Sequence, residues 1–591
     1  MAARISSLEK SATRAREKPE SKPSVSNSDA ESNAYAHSTS MSEGLRENVV
    51  VQKGSSTQYF NEIMLSTMIE GQDMKAVLTP PNTGPLQPQI ISPFNAHGIL
   101  SSPSLSIVPS TLHPPQELAV KLWKIYVDNV ESCVGLKFLH LPTDDIKIYS
   151  TINDPATASL ENLALCYAVY FASATSMDDT EAAAILREDK NTAMLRFKVG
   201  LEQALAHGDF LDRPTITGLC AFAIYLSAVR IHNRGKGIWI LNGLAIRIAQ
   251  SLGLHRNGEK LGLSPFESEI RRRIWWHLLC REWRSGEDYG LENINNFLLM
   301  ADVSLPINIE DTDLYPEMQR LPAPRNGWTA ISFSLICIDF AQCMQKLGVI
   351  SASSSASSPP SENSRAQLVK ECKERVDRWL RHCNPVLPPQ RLALYISSFL
   401  LRKLDFVSRM QWILLRCDGE SADFVSEENL VEALEILESR VYETDGLLKQ
   451  FSWVRKAFPQ YHVTMYVLWH LSVKPEGPNI ERAWTTTKTM FSPEIWDETT
   501  MGFGSKSAVL TALRAKAVSA REKLQRMSTG KLNGPGSLVG ENLSSQAEDQ
   551  TTSSVLAGTN TGEIDLEGGM EEWPDWEALV ENFQFNSSDV F

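Results

Sequence analysis

The feature that most constrains this chain is a change of hydrophobic rhythm near residue 108. From "PPQELAVKLWKIYVDNV" onward, apolar residues recur at the 3.6-residue spacing of a helix with one face turned inward. The pattern returns in "SLENLALCYAVYFASATSM", "NTAMLRFKVGLEQALAHGDF" and "TITGLCAFAIYLSAVRI". It resumes later in "RLALYISSFLLRKLDFVSRMQWILLRC", "EENLVEALEILESRVYETDGLLKQ", "YHVTMYVLWHL" and "KSAVLTALRAKAVSAREKLQRM". Strand-like alternation is scarce and no fixed-period repeat is visible, so the expected fold class is all-α and multi-helical, with no solenoid. In "ILNGLAIRIAQSLGLH", Leu241, Leu244, Ala245, Ile248 and Leu252 fall on one face. Gly253 is expected to stop that helix in a left-handed cap, with Leu254 folding back behind it.

The rhythm also sets the boundaries. Residues 1–107 are rich in Ser, Pro, Asn and Gln and are expected to be a disordered arm, with a short helix only in "NEIMLSTMIEGQDMKAVL". A first helical block is expected over 108–350, a Ser/Pro loop over 351–364 and a second helical block over 365–528. A flexible tether over 529–560 and an acidic, aromatic segment over 561–591 follow.

Charge and cysteine usage exclude several function classes. The net charge is −14, but residues 541–591 hold 12 acidic and no basic residues, so the rest is close to neutral. A neutral body lacks the field of a domain that binds nucleic acid by neutralising phosphates. Nine cysteines without a close C-x-x-C pair suggest buried thiols in a reducing compartment. The start lacks the apolar segment of a secretory signal, and the longest apolar run, Gly218 to Val229, is too short to cross a bilayer. A soluble protein without a membrane partner is expected.

In "FESEIRRRIWWHLLCREW", three arginines meet two tryptophans. Read as a helix from Pro265 to Trp283, the segment has an apolar stripe of Ile270, Ile274, Trp275, Leu278 and Leu279. Glu267 precedes Arg271, and Glu269 precedes Arg273, by four positions, the favourable order for ion pairs. Arg271, Arg272, Arg273, Trp275 and Trp276 are therefore expected to be scaffold rather than a nucleic-acid grip. No H-E-x-x-H, G-x-S-x-G or Walker loop is present, and His277 and His470 lie in apolar helical contexts that suit core histidines. No catalytic residue, metal site or cofactor is expected.

The run "GLAIRIAQSLGLHR…ESEIRRRIWWHLLCREWRSGEDYG", followed by "FLLMADVSLPINIEDTDLYPEM", resembles the fungal-specific transcription factor domain, the helical middle homology region of fungal zinc-cluster regulators. "LKFLHLPT" from Leu136 to Thr143 looks like its entry motif, and the likeness covers roughly residues 115 to 320. Glu282 stands where that family commonly has Asp, and Leu291-Glu292 where many members have Arg-Pro. The family's six-cysteine DNA reader has no counterpart, since the first cysteine, Cys133, already lies in the helical body. The resemblance implies a nuclear regulator, acting on DNA directly or through a DNA-binding partner, as a homo- or heterodimer. Control of a secondary-metabolite gene cluster is the programme it implies. The alternative is a cytoplasmic helical sensor or scaffold without promoter function.

The tail completes that expectation. In "DLEGGMEEWPDWEALVENF", Trp573, Trp576, Leu579 and Phe583, with Val580, can form one apolar face set among Glu571, Glu572, Asp575, Glu577 and Glu581. An acidic amphipathic segment of this kind can fold into a groove on a transcriptional coactivator. A docked terminal helix or a solubilising tail are the plainer readings.

Overall fold

The computed structural model describes residues 49–53, 56–60, 64, 93–94, 96–99 and 107–532, the last with breaks at 132, 134–136, 234, 290–300, 355–359, 417–423, 440–444, 459 and 492–504. All of these lie in one compact unit, Leu45–Phe591. The expected acidic segment 561–591 and the tether before it, from residue 533, fall outside the described residues.

One antiparallel hairpin apart, the regular elements among the described residues are helical. That hairpin pairs β1 (Val49–Lys53) with β2 (Ser56–Phe60), placing Val49 opposite Phe60 and Lys53 opposite Ser56. It lies in the stretch read from sequence as an arm, and its runs of VVVQK and STQYF are too short for a periodicity argument to separate strand from coil. A buried Met64 and a 3₁₀ turn at Ala96–Ile99 also fall in that stretch.

The helical body begins with α1 (Gln116–Ile125), which runs into a π turn at Tyr126–Glu131, and α2 (Leu141–Asn153). Next come α3 (Leu160–Ser176), α4 (Asp179–Leu186), α5 (Lys190–His207), α6 (Ile216–His232) and α7 (Lys236–Ser251). α3 and α6 are buried on nearly every face, and α3 packs against both α5 and α6. Side-chain caps start several of them: Ser159, Asp178, Asp189 and Thr215 each accept a backbone N–H from the first turn. Gly200 lets α5 approach α3, because a Cβ there would lie 2.6 Å from the Tyr167 ring. Gly253, at φ +79°, ends α7, and Leu254 N–H reaches back to the Ala249 carbonyl at 2.9 Å. This is the left-handed stop expected from sequence.

The second stretch of the body opens with α8 (Pro265–Tyr289), which extends six residues past the expected end, and α9 (Ser332–Ser353). It continues with α10 (Glu362–Leu380), α11 (Pro388–Arg416), α12 (Glu427–Glu438) and a long 3₁₀ segment, Gly446–Ala457. The last helices are α13 (Tyr461–Val473), α14 (Ile480–Met490) and α15 (Ser505–Leu532).

Three large apolar cores result. The first joins α1 to α8 through side chains such as Trp123, Tyr170, Phe222, Ile246 and Trp275. The second gathers α11 to α15 around Phe406, Leu434, Tyr466 and Leu513. The third lies between α9, α10, α11 and the 3₁₀ segment, around Ile336, Cys372, Ile396 and Phe451. Trp379 and Trp453 pack against both the first and the third. Each fully buried large apolar side chain contributes about 1.5–3 kcal/mol of transfer free energy, so these cores dominate stability. Among the described residues, Ser332–Ser351 of α9 is the one stretch long and apolar enough to cross a membrane, and half of it is buried in the protein. Its composition follows from position: one side serves the third core and another lines a cavity.

Candidate functional site: the two halves of α8

The N-terminal half of α8 is a closed electrostatic network. Ser264 and Glu267 form a reciprocal cap, each accepting the other's backbone N–H at 3.2 Å. Glu269, fully buried, accepts from Arg272 at 3.0 Å, from Arg273 at 3.3 Å and from Ile307 N–H at 3.1 Å. Arg273 also donates to Asp311 at 2.8 Å, and Lys137 bridges Asp311 at 2.6 Å and Glu131 at 2.9 Å. Burial pushes the Glu269 carboxyl up, against the pull of Arg273 and Arg272. Burial also works to raise Asp311, but Lys137 and Arg273 outweigh it and hold that carboxyl below its usual range. The network ties α8 to the 131–141 and 307–311 segments, which are far apart in sequence.

The arginine-tryptophan run sits inside that network. The Glu269–Arg273 pair expected from spacing forms. Arg271 instead donates to the Leu252 carbonyl at 2.7 Å, closing the C-terminus of α7, while Glu267 turns to Ser264. Trp275 is fully buried, and Trp276 donates its indole N–H to the Ser304 carbonyl at 2.9 Å.

The C-terminal half of α8 faces two cavities. The smaller, about 60 Å³, is lined by Arg230, Arg281, Arg284, Ser227, His277 and Trp453, among others. The larger, about 170 Å³, has Trp283, Phe340, Met344, Leu347, Leu404 and Val407 as its main apolar wall, with Lys403, Gln411 and His462 as polar groups. Cys280, Arg284 and Cys337 line both. Neither lining, among the described residues, contains Asp or Glu.

The three arginines are held unequally. Arg230 makes a bidentate pair with Asp288, at 2.6 and 2.9 Å, and donates to the Ala457 carbonyl at 3.0 Å. Arg284 stacks 3.9 Å over the Phe458 ring. Arg281, only 6% exposed, donates to Asn242 at 3.2 Å and Ser227 at 2.7 Å, and its Nη2 has no hydrogen-bond partner. Its nearest acid in sequence, Glu282, accepts from the Asn242 amide at 2.6 Å. Burial, then the Arg230 charge, bring Arg281 down to about 9. Burial raises Cys280 and takes Cys337 up to about 11, so both thiols stay neutral at physiological pH.

Residues 123–381 match the fungal specific transcription factor domain. The match covers less than half of the chain. The aurofusarin cluster transcription factor of Gibberella zeae is 24% identical over 90% of this chain and 86% of its own length. The pyriculol/pyriculariol biosynthesis cluster transcription factor 1 of Pyricularia oryzae is 27% identical over 70% of this chain and 56% of its own. The C6 finger domain transcription factor nscR of Aspergillus fumigatus is 26% identical over 64% of this chain and 49% of its own. The chain thus spans most of the first of these relatives and about half of the other two.

Against that background, the domain's arginine-tryptophan run is placed in full, whereas Trp573, Trp576, Leu579 and Phe583 lie outside the described residues. The eight described cysteines are free thiols. His470 is buried, its ring nitrogens lack hydrogen-bond partners, and burial brings it down to about 4. His277 packs against Phe138, with ring centres 4.6 Å apart, and also faces the smaller cavity, which its apolar sequence context did not signal. The helical spacing of the sequence does not show the cavities. A signal existed: Arg273 has Glu four positions upstream, but Arg281 has His277 and Arg284 has Cys280 there.

Proposed function

We propose that this protein is a nuclear transcriptional regulator of a fungal biosynthetic gene cluster, of the secondary-metabolite kind. The observation that carries this is similarity along nearly the whole chain to a cluster transcription factor, added to the domain match. The helical body is the regulatory region, as a homo- or heterodimer, and promoter contact is direct or supplied by a DNA-binding partner. Trp573, Trp576, Leu579 and Phe583 of the acidic tail are the anchors for a coactivator.

Deleting the gene and profiling transcripts tests the reading. Loss of expression across one contiguous biosynthetic cluster, with the tagged protein in nuclei, is the expected result. An unchanged transcriptome with the protein confined to the cytoplasm would replace it by the sensor or scaffold alternative. The tail is tested by fusing residues 561–591 to a foreign DNA-binding domain. Reporter activity should be lost in Trp573→Ala with Trp576→Ala at matched protein levels; a silent native tail removes the coactivator role.

A further inference from the structure

The cavities beside the C-terminal half of α8 join an apolar space to a cluster of arginines. The larger has room for an aromatic ring, since a dry apolar cavity of about 150 Å³ already accepts benzene. Its wall is predominantly apolar and aromatic, with a few polar groups, the usual make-up of a small-molecule site. Behind it, sharing Cys280, Arg284 and Cys337, lies a smaller space walled by Arg230, Arg281 and Arg284. Asp288 answers Arg230, but the buried Arg281 retains an N–H group without a partner. Leaving a buried guanidinium N–H unsatisfied is costly, and such a group is a preformed donor for a carboxylate. The thiols are neutral and no described acid lines either cavity; the carboxylates whose charge reaches Arg281, Asp288 and Glu282, are engaged by Arg230 and Asn242.

We propose that this is a binding site for a small aromatic carboxylate, whose ring fills the larger cavity and whose carboxylate accepts from Arg281 across the shared wall at Arg284. Binding stands on the cavity geometry alone; a role as the regulator's effector rests on the function proposed above. Met344, 41% exposed and lining the larger cavity, stands at its opening.

The test uses the purified full chain with 2-naphthoate, its neutral isostere 2-naphthamide and inorganic phosphate, read by calorimetric titration and thermal unfolding. Naphthoate should bind saturably, at least tenfold more tightly than naphthamide, and raise the unfolding temperature. Arg281→Met should bring naphthoate down to the naphthamide level. Met344→Trp should abolish binding of both without lowering the unfolding temperature of the free protein. Equal binding of acid and amide, phosphate binding as tight as naphthoate, or no saturable naphthoate binding would each overturn the proposal. Should Arg281→Met fail to fold, the naphthoate-to-naphthamide ratio in the native chain and the Met344→Trp result still decide it. The binding arms do not depend on promoter function, so their failure and that of the regulatory reading are separate events.

Discussion

The two halves of α8 look alike in sequence, since each sets arginines among tryptophans, yet the structure treats them differently. In the first half, Arg272 and Arg273 meet Glu269, Arg273 also reaches Asp311, and Arg271 closes the end of α7. In the second, Arg281 is as deeply buried but finds only the neutral partners Asn242 and Ser227. A cation matched by buried carboxylates holds remote segments in register. A cation matched only by neutral acceptors retains favourable interaction energy for an anion that is not yet there.

The largest effect that would sharpen this contrast is expected at Trp275. Trp275→Ala empties a fully buried site and should lower stability by about 3–5 kcal/mol, visible as a large fall in the denaturant midpoint. Glu269→Gln should come next, costing about 3 kcal/mol or more, because it takes the carboxylate from buried Arg272 and leaves buried Arg273 with Asp311 alone. Arg281→Met is expected to behave oppositely, leaving stability within about 1 kcal/mol of native or raising it, since it removes a buried charge without an acidic partner. A loss at Arg281→Met equal to that at Glu269→Gln would erase the distinction between the halves.

These expectations also show what could be read without a structure. Helical spacing announced α3, α6 and α8, and Gly253 announced the end of α7, because burial on a helix and a positive φ both leave local marks. The Glu269–Arg273 pair was legible for the same reason, being one turn apart on one helix. Asp311 as the further partner of Arg273, thirty-eight residues away, was not. Nor were the cavities, whose walls come from the π turn, α3, α6, α8, α9, α11, α13 and the 3₁₀ segment. Spacing along one helix cannot say which distant side chains stop short of one another. The hairpin at 49–60 escaped because its two strands are five residues each and stand in a polar stretch.

The smallest effect lies in pH dependence, where the halves should have different signatures. Asp311 is held below its ordinary range, so its contribution is present at neutral pH and lost as acid carries the pH down through its folded value. Asp311→Asn should flatten that acid limb. Burial holds Arg281 at about 9, well below the ordinary guanidinium range it returns to on unfolding. The folded protein therefore binds fewer protons above pH 9, and native stability should climb relative to Arg281→Met by about 1 kcal/mol per pH unit there. A difference between those two proteins that stays flat from pH 8 to 10.5 would show that Arg281 keeps its proton and is better matched than its contacts indicate.

The matched domain ends at residue 381, but the far walls of both cavities do not. Leu404, Val407, Trp453, Ala457 and His462 all lie beyond it, and Arg230 and Arg284 reach across to Ala457 and Phe458. The stretch that the domain match covers is therefore smaller than the unit that packs together. A fragment cut at that border would open Trp283 and Phe340 to water, and a swap of the segment beyond it between relatives would exchange half of a pocket rather than a spare module.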